Sequence, residues 1–385
     1  MQSNELGRPQ LILHTQRLTI GTGVQADFGV GAVAGLADAV KSLGGSRVFL
    51  VTDGGLVASG LISEVTAQLY ESGLEVAVYS ELRPNPAGED IAAGGRALRS
   101  FGRAVVVGLG GGTSLDGAKG ISLAAANDVP VRELDYRNEL PNPGLTVIAV
   151  PTTAGTGSET NSYGVIEDHK AHRKFYIGNS SVAPKAVILD PALTKSLPAA
   201  PTAATGMDAL THALESLMAR NANPYSHGLD LQVIAMVHRW LPVAVETGDD
   251  MEARAQMLLA AHLAGLAFAN TGLGLAHALG HTLSALLGTV HGVALAVVLP
   301  SVMEFNAESR AAELAEAGEA LGGDPIHRVR ALAGRIGMPS RLGELGLTDE
   351  MVPSLVQGAL DDVVLSNNPV QPVPVELTAL VRSLL

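Results

Sequence analysis

The sequence contains no cysteine. That excludes a disulfide framework and any thiolate-held metal, so a bound metal must take nitrogen and oxygen ligands. It also suits a reducing cytosol, and a cytoplasmic protein is expected. Charge is scarce. Only 16% of the 385 residues are charged, against 47% hydrophobic. This balance supports a large buried core and excludes a disordered chain. Basic residues are scarcer still, with 25 Lys and Arg against 38 Asp and Glu, a net charge of -13. Such a surface repels phosphate backbones, which argues against a nucleic-acid partner. Residues 1–16 have no basic segment followed by an apolar run, so they do not read as a secretion signal.

The longest deficit lies between Arg254 and Glu304, where there is no Asp, Glu, Lys or Arg. A membrane helix needs about 20 consecutive apolar residues. Here His262, Asn270, Thr271, His277, His281 and His291 interrupt the run. Burying those groups in lipid is costly. A core helical layer carrying a polar site is the expected reading, with no membrane partner.

The first half of the chain alternates strand-like and helix-like segments. Residues 48–51 (VFLV), 75–79 (EVAVY), 104–108 (AVVVG) and 145–151 (LTVIAVP) read as strands. Helical patterns run through Leu61, Val65 and Leu69, and over residues 90–100. This alternation predicts βαβ units and a parallel sheet covered on both faces. After Leu189-Asp190-Pro191 the pattern changes. Residues 203–220, 225–245, 251–270, 275–287 and 307–321 read as helices separated by Gly and Pro. The expected fold is an α/β domain over residues 1–190 and an all-α domain over residues 191–385.

The 104–108 strand runs into Gly110-Gly111-Gly112-Thr113-Ser114, then Asp116 and a helix containing Lys119. Strand, glycines and helix N-terminus form a context that binds a pyrophosphate through backbone N–H groups. The string is neither GxGxxG nor a Walker loop, and a plain tight turn is the alternative, but three glycines in a row after a buried strand favour the phosphate reading. Asp53 ends an earlier strand. It is either a turn residue or a ribose ligand, and as a ligand it favours NAD over NADP. Residues 151–159 (PTTAGTGSE) follow another strand, where parallel sheets bind ligands.

Asp208 and His212 are four apart in a helical pattern, which puts them on one face. His277 and His281 repeat that spacing, and His291 follows in what reads as a loop. One carboxylate with imidazoles suits Fe²⁺ or Zn²⁺. Spacing alone leaves open whether His277 and His281 chelate together or only one of them binds. The remaining histidines, His14, His169, His172, His227, His238, His262 and His327, read as ordinary core or surface residues.

With these motifs in order, the chain resembles the iron-containing (group III) alcohol dehydrogenase family. The residues that carry the resemblance are Gly110–Ser114 with Asp116 and Lys119, PTTAGTGSE at 151–159, GMDALTHALE at 206–215 and GLGLAHALGHTLSALLGTVHGVA at 272–294. Phe28-Gly29-Val30-Gly31-Ala32 and Pro84-Asn85-Pro86 add to it. The resemblance implies an active site in the cleft between the two domains, and a dimer. It implies metal ligation by Asp208, His212, His277 and His291, with His281 a proton-relay candidate near the nicotinamide. It implies that Asp53 meets the adenosine ribose. Gly110, Gly111, Gly112, Thr113, Ser114, Asp116, Thr152, Thr153 and Thr156 would surround the diphosphate and ribose, with Lys174 near the cofactor. Thr282 and Val290 stand where many relatives carry Pro, and residues 367–373 (NNPVQPV) lack a basic residue common there.

The chemistry so implied is reversible, NAD-dependent oxidation of an alcohol to an aldehyde or ketone, with a divalent metal as Lewis acid. Resemblance favours Fe²⁺, and intrinsic affinity for these ligands favours Zn²⁺. Residues 161–164 and 268–273 are the expected substrate walls, suited to a short or medium alcohol or aldehyde. Two alternatives are a lyase like dehydroquinate synthase, which would need a basic pocket, and a metal hydrolase that uses no dinucleotide.

Overall fold

The computed structural model describes residues 18–21, 24–83, 85–168 and 173–385. Residues 1–16, which include His14, and Pro84, His169 and His172 lie outside the described residues. In chain order the first half is β1 (Leu18–Gly21), β2 (Gln25–Phe28), α1 (Leu36–Ser42), β3 (Arg47–Val51), α2 (Gly54–Ala58), α3 (Leu61–Glu71), β4 (Glu75–Tyr79), α4 (Gly88–Phe101), β5 (Val105–Gly110), α5 (Gly112–Ala126), β6 (Val147–Pro151), β7 (Tyr163–Asp168), β8 (Arg173–Gly178) and β9 (Ala186–Leu189). The sheet order is β1-β2-β9-β6-β5-β3-β4. All neighbours from β2 to β4 pair in parallel, and only β1 runs antiparallel. β7 and β8 form a separate antiparallel hairpin.

The centre of the sheet forms here because β3, β5 and β6 are apolar on both faces, while β2 and β4 are only partly buried. β5 and β6 are buried along their whole length. Leu50 and Val107 pack with Val40, Val65 and Leu69 on one face. Phe49 and Val106 pack with Ile91, Leu98 and Ile121 on the other. The period-2 alternation of a strand thus feeds two helical layers. One expected boundary moves: β5 continues past Gly108 to Gly110, because its ladder with β6 extends to the Gly110–Pro151 pair. The turn then reduces to Gly111, and α5 starts at Gly112.

The second half is α6 (Ala199–Met218), α7 (Pro224–Glu246), α8 (Met251–Thr271), α9 (Leu275–Leu287), α10 (His291–Asn306), α11 (Ala311–Leu321), α12 (Pro325–Arg335), α13 (Val352–Asp361) and α14 (Pro374–Ser383). His291 is therefore the first residue of α10 and does not lie in a loop. The backbone turns helical immediately after Val290. From Thr202 to Met218, α6 is buried at every residue except Thr205. A helix buried all round lies in the interior, and α7, α8 and α10 pack around it. Among the described residues no single helix is long and apolar enough to cross a membrane; α8 and α9 qualify only as a pair bent by 107°.

Asp230 on α7 is a second buried carboxylate in this body. Its Oδ2 accepts the Ser216 hydroxyl at 2.8 Å, and burial raises its pKa to about 8. An unfolded Asp titrates near 3.9. A raised folded pKa gives stability that is full below about pH 4 and is lost as the pH climbs towards about 8. Relative to wild type, Asp230→Asn should therefore gain more thermal stability at pH 8 than at pH 5, by a few kcal/mol. Melting both proteins at the two pH values checks this, and an equal shift at both would refute it.

Candidate active site

Three helix segments bring the site together. α6 presents Asp208 and His212 from successive turns, α9 presents His277 and His281, and α10 presents His291 in its first turn. Asp208 Oδ1 lies 3.4 Å from His212 Nε2, 3.5 Å from His277 Nε2 and 3.9 Å from His291 Nε2. Asp208 Oδ1 and His277 Nε2 are buried with no hydrogen-bond partner. Donor atoms of Asp208, His277 and His291 all lie within 4.8 Å of one another. That spacing suits atoms that each sit about 2.0–2.2 Å from one shared ion. His212 adjoins this group through Asp208, and its ring stacks on His277 at 4.6 Å.

Burial works against every charge in the cluster. It lowers His212 to about 4 and holds His291 well below the usual imidazole range. Burial also opposes ionisation of Asp208, but His212, His277 and His291 outweigh it and hold the carboxyl well below its ordinary range. On His277 burial again opposes the charge, yet the flanking Asp208 and Glu215 carboxylates raise it to about 9. The ring between two carboxylates calls for a positive charge. A divalent ion can supply it in place of a proton, so the donor set fits a metal.

His281 is turned out of this group. Its Nδ1 lies 2.8 Å from Asp362 Oδ2 and 3.3 Å from the Tyr176 hydroxyl. Its ring stacks on His291 at 5.1 Å. Of the other described histidines, His262 pairs with Glu159 in the core at 3.0 Å and His227 pairs with Glu316 at 2.7 Å.

The cluster forms one wall of a cavity of about 780 Å³. The opposite wall comes from the α/β half: Gly112, Thr113, Asp116, Thr156 and Lys174. Gly112 and Thr113, the first residues of α5, line this space, and no side chain caps that helix end, which leaves its positive dipole end and first N–H groups for a ligand. That arrangement fits a diphosphate. Gly110, Gly111, Ser114, Thr152 and Thr153 do not line the cavity, and Ser114 and Thr152 are buried. Asp116 lines it, but its carboxylate accepts Ser158 Oγ at 2.5 Å and Val165 N at 3.0 Å. Asp53 caps α2, with Oδ1 accepting the Gly55 and Leu56 N–H groups. It lies beyond the end of β3, the strand next to β5.

The expected substrate walls are met in part. Asn161, Ser162, Tyr163, Phe268, Ala269, Gly272 and Leu273 line the cavity. Asn270 and Thr271 do not; their side chains bond Leu266 O and Ser216 Oγ. Sequence reading missed Tyr136, Tyr176, Asp362 and Glu215. Tyr136 and Tyr176 come from segments without regular patterning. Asp362 follows α13, far along the chain. Glu215 carried a signal, since it lies on the Asp208 face of α6. Lys119, part of the helix after the glycines, has a structural task. It is fully buried and donates to Ser158 O, Ser158 Oγ, Asn161 Oδ1 and Tyr163 O, tying the loop after β6 to α5. Burial lowers it to about 8.

A strand-to-helix turn facing a carboxylate–imidazole cluster across a cleft defines a dinucleotide- and metal-type oxidoreductase architecture. Comparison with known proteins gives the family. Residues 25–191 match the iron-containing alcohol dehydrogenase model, and residues 202–385 match the model of the Fe-containing alcohol dehydrogenase C-terminal region. The chain is 39% identical over 352 residues to the probable alcohol dehydrogenase EutG of Escherichia coli K12, covering 89% of this chain and 88% of that one. A crystal structure of 1,3-propanediol oxidoreductase superposes with a TM-score of 0.91 at 34% identity, covering 96% of this chain and 99% of the other. Sulfoacetaldehyde reductase from Bifidobacterium kashiwanohense, solved in complex with NAD+, superposes with a TM-score of 0.88 at 29% identity, covering 94% and 97%. This chain belongs to the iron-containing alcohol dehydrogenase family. It is an oxidoreductase acting on alcohols, and the lyase and hydrolase alternatives are not favoured.

Proposed function

We propose that the protein oxidises an alcohol, or reduces the matching aldehyde or ketone, using NAD(H) and one divalent metal ion. The observation that carries this reading is the facing of two walls in one cavity. Asp208, His277 and His291 donors converge on one side, and the uncapped α5 N-terminus stands on the other. Asp208, His212, His277 and His291 would hold the ion, which supplies Lewis-acid polarisation of the substrate oxygen, while the nicotinamide carries the hydride. Resemblance favours Fe²⁺, with Zn²⁺ the alternative. The complex of the related sulfoacetaldehyde reductase with NAD+ supports the dinucleotide.

The chain's own residues do the rest. Gly112, Thr113 and Thr156 would bind the diphosphate, with Gly110, Gly111, Ser114, Thr152 and Thr153 shaping the loops behind them. Lys174 would sit near the nicotinamide end. Asp53 retains Oδ2 for a ribose hydroxyl, which favours NAD over NADP. His281 would carry the hydroxyl proton, and Asp362 at 2.8 Å gives that proton an onward acceptor. Ser162, Phe268, Ala269 and Leu273 suit a short or medium alcohol. In this scheme residues 1–190 form the dinucleotide domain and residues 191–385 the catalytic domain. The lack of cysteine suits a cytoplasmic protein, and resemblance implies a homodimer.

A panel of short alcohols, assayed with NAD+ and with NADP+ on anaerobically purified protein of known metal content, tests this reading. Steady NADH production, faster than NADPH production and proportional to bound metal, is expected. Turnover independent of metal, or no NADH from any alcohol, would refute it.

A further inference from the structure

α9 carries His277 and His281, yet it has no cap of its own. Its N-cap residue is Gly274, which offers no side chain. The first N–H groups of a buried helix need acceptors from elsewhere. Here two distant residues supply them. Glu215 on α6 accepts Gly274 N at 3.0 Å through Oε2 and Ala276 N at 2.5 Å through Oε1. Asn368, from the segment after α13, accepts Leu275 N at 3.2 Å. Glu215 and Asn368 are almost wholly buried.

The same carboxylate then meets the site. Glu215 Oε2 lies 2.6 Å from His277 Nδ1. An ionised carboxylate only accepts, so Nδ1 must carry the proton. In the neutral ring this leaves the Nε2 lone pair directed at the Asp208 cluster. Glu215 also stands on the face of α6 that bears Asp208 and His212, at helical spacings of seven and three residues. One helix therefore supplies two cluster residues and the clamp on a third. Asn368 is itself fixed by a reciprocal amide pair with Asn306, at 3.0 and 3.1 Å. Gly274 completes the fit, because a Cβ there would lie 2.7 Å from Asn368 Oδ1.

We propose that Glu215 is a positioning residue for the metal centre. It caps α9 from α6 and sets the tautomer and direction of His277, with the Asn368–Asn306 pair as the second half of the clamp. The proposal rests on the reading of Asp208, His212, His277 and His291 as metal ligands. Partners of this kind on a ligating imidazole typically matter by about 10- to 100-fold in metal affinity.

Glu215→Gln tests it, because an amide keeps the shape but places an NH₂ group either against Ala276 N or against both Gly274 N and His277 Nδ1. Metal-stripped proteins, shown folded by circular dichroism, are titrated with Zn²⁺ against a chromogenic chelator. At saturating Co²⁺ the visible absorption of the bound ion is recorded. Wild type should bind one equivalent of Zn²⁺, and Glu215→Gln should bind about 10- to 100-fold more weakly with a shifted Co²⁺ spectrum. Equal affinity and an unchanged spectrum would overturn the positioning role. No Zn²⁺ binding by wild type would overturn the metal reading instead. Should Glu215→Gln fail to fold, Asn368→Ala decides: weaker Zn²⁺ binding supports the clamp, and wild-type binding overturns it.

Discussion

Replacing His277 with Ala is expected to remove both metal and turnover. Its Nε2 and Asp208 Oδ1 are the buried, unpartnered donors at the centre of the cluster. Lewis-acid stabilisation is worth several kcal/mol, so its loss should cost about 10³-fold or more in kcat/KM at 1.36 kcal/mol per decade. Stability should fall as well. Without the ring, the carboxylates of Asp208 and Glu215 both lose a partner inside the core, and a buried charge left unpaired costs about 3–5 kcal/mol. Two companion variants separate these effects. His291→Ala removes a more exposed donor, with a side chain 25% accessible, and should lose metal with less unfolding. His281→Ala should keep its metal and lose rate only, since His281 is turned towards Asp362. Elemental analysis, urea unfolding and NADH absorbance on the three proteins give the test. Full turnover by a metal-free His277→Ala protein would end the reading.

Gly292→Ala should be among the most damaging single-methyl changes in the protein. Gly292 follows His291 in the first turn of α10, where that helix meets α6. A Cβ at this position would sit 1.9 Å from the Ala204 carbonyl oxygen and 2.6 Å from its carbon. Both are backbone atoms of the interior helix α6, so no flexible side chain can give way. Overpacking a tight core typically costs about 1–3 kcal/mol, occasionally more, and the upper end is expected here. The loss should reach the site, because the α6–α10 contact also sets the separation of Asp208 from His291. Urea unfolding should show a lower midpoint, and the folded fraction should bind metal more weakly. Wild-type stability with full metal content would show that the two helices do not pack this closely.

The strands were legible where both faces are buried. VFLV and the valines of β5 are apolar without interruption, EVAVY is apolar after the exposed Glu75, and β3, β4, β5 and β6 lie within a residue or two of the segments expected for them. β2 and β9, only four residues each, were not read, nor was the β7–β8 hairpin. β2 and β9 pair with each other across about 160 residues, so no local pattern announces them, and the hairpin strands carry polar residues such as Glu167 and Lys174 that blur an apolar pattern. α9 was read to the residue from its apolar periodicity. His291 reads as a loop residue yet opens α10, because that helix begins at a packing contact with α6 that has no local signature.

The same division runs through the site. Helical spacing by itself put Asp208 and His212 on one face of α6, and His277 and His281 on one face of α9, because a period of 3.6 residues is a local property of the backbone. The absence of cysteine settled the kind of donor atoms. Spacing could not choose between His277 and His281, since both satisfy the same period. In the tertiary structure the two rings differ in direction. Glu215 turns one imidazole towards Asp208, while Asp362 and Tyr176, 81 and 105 residues from His281, turn the other away. A side chain's direction depends on what it bonds to. Those partners arrive only when distant segments fold against the helix.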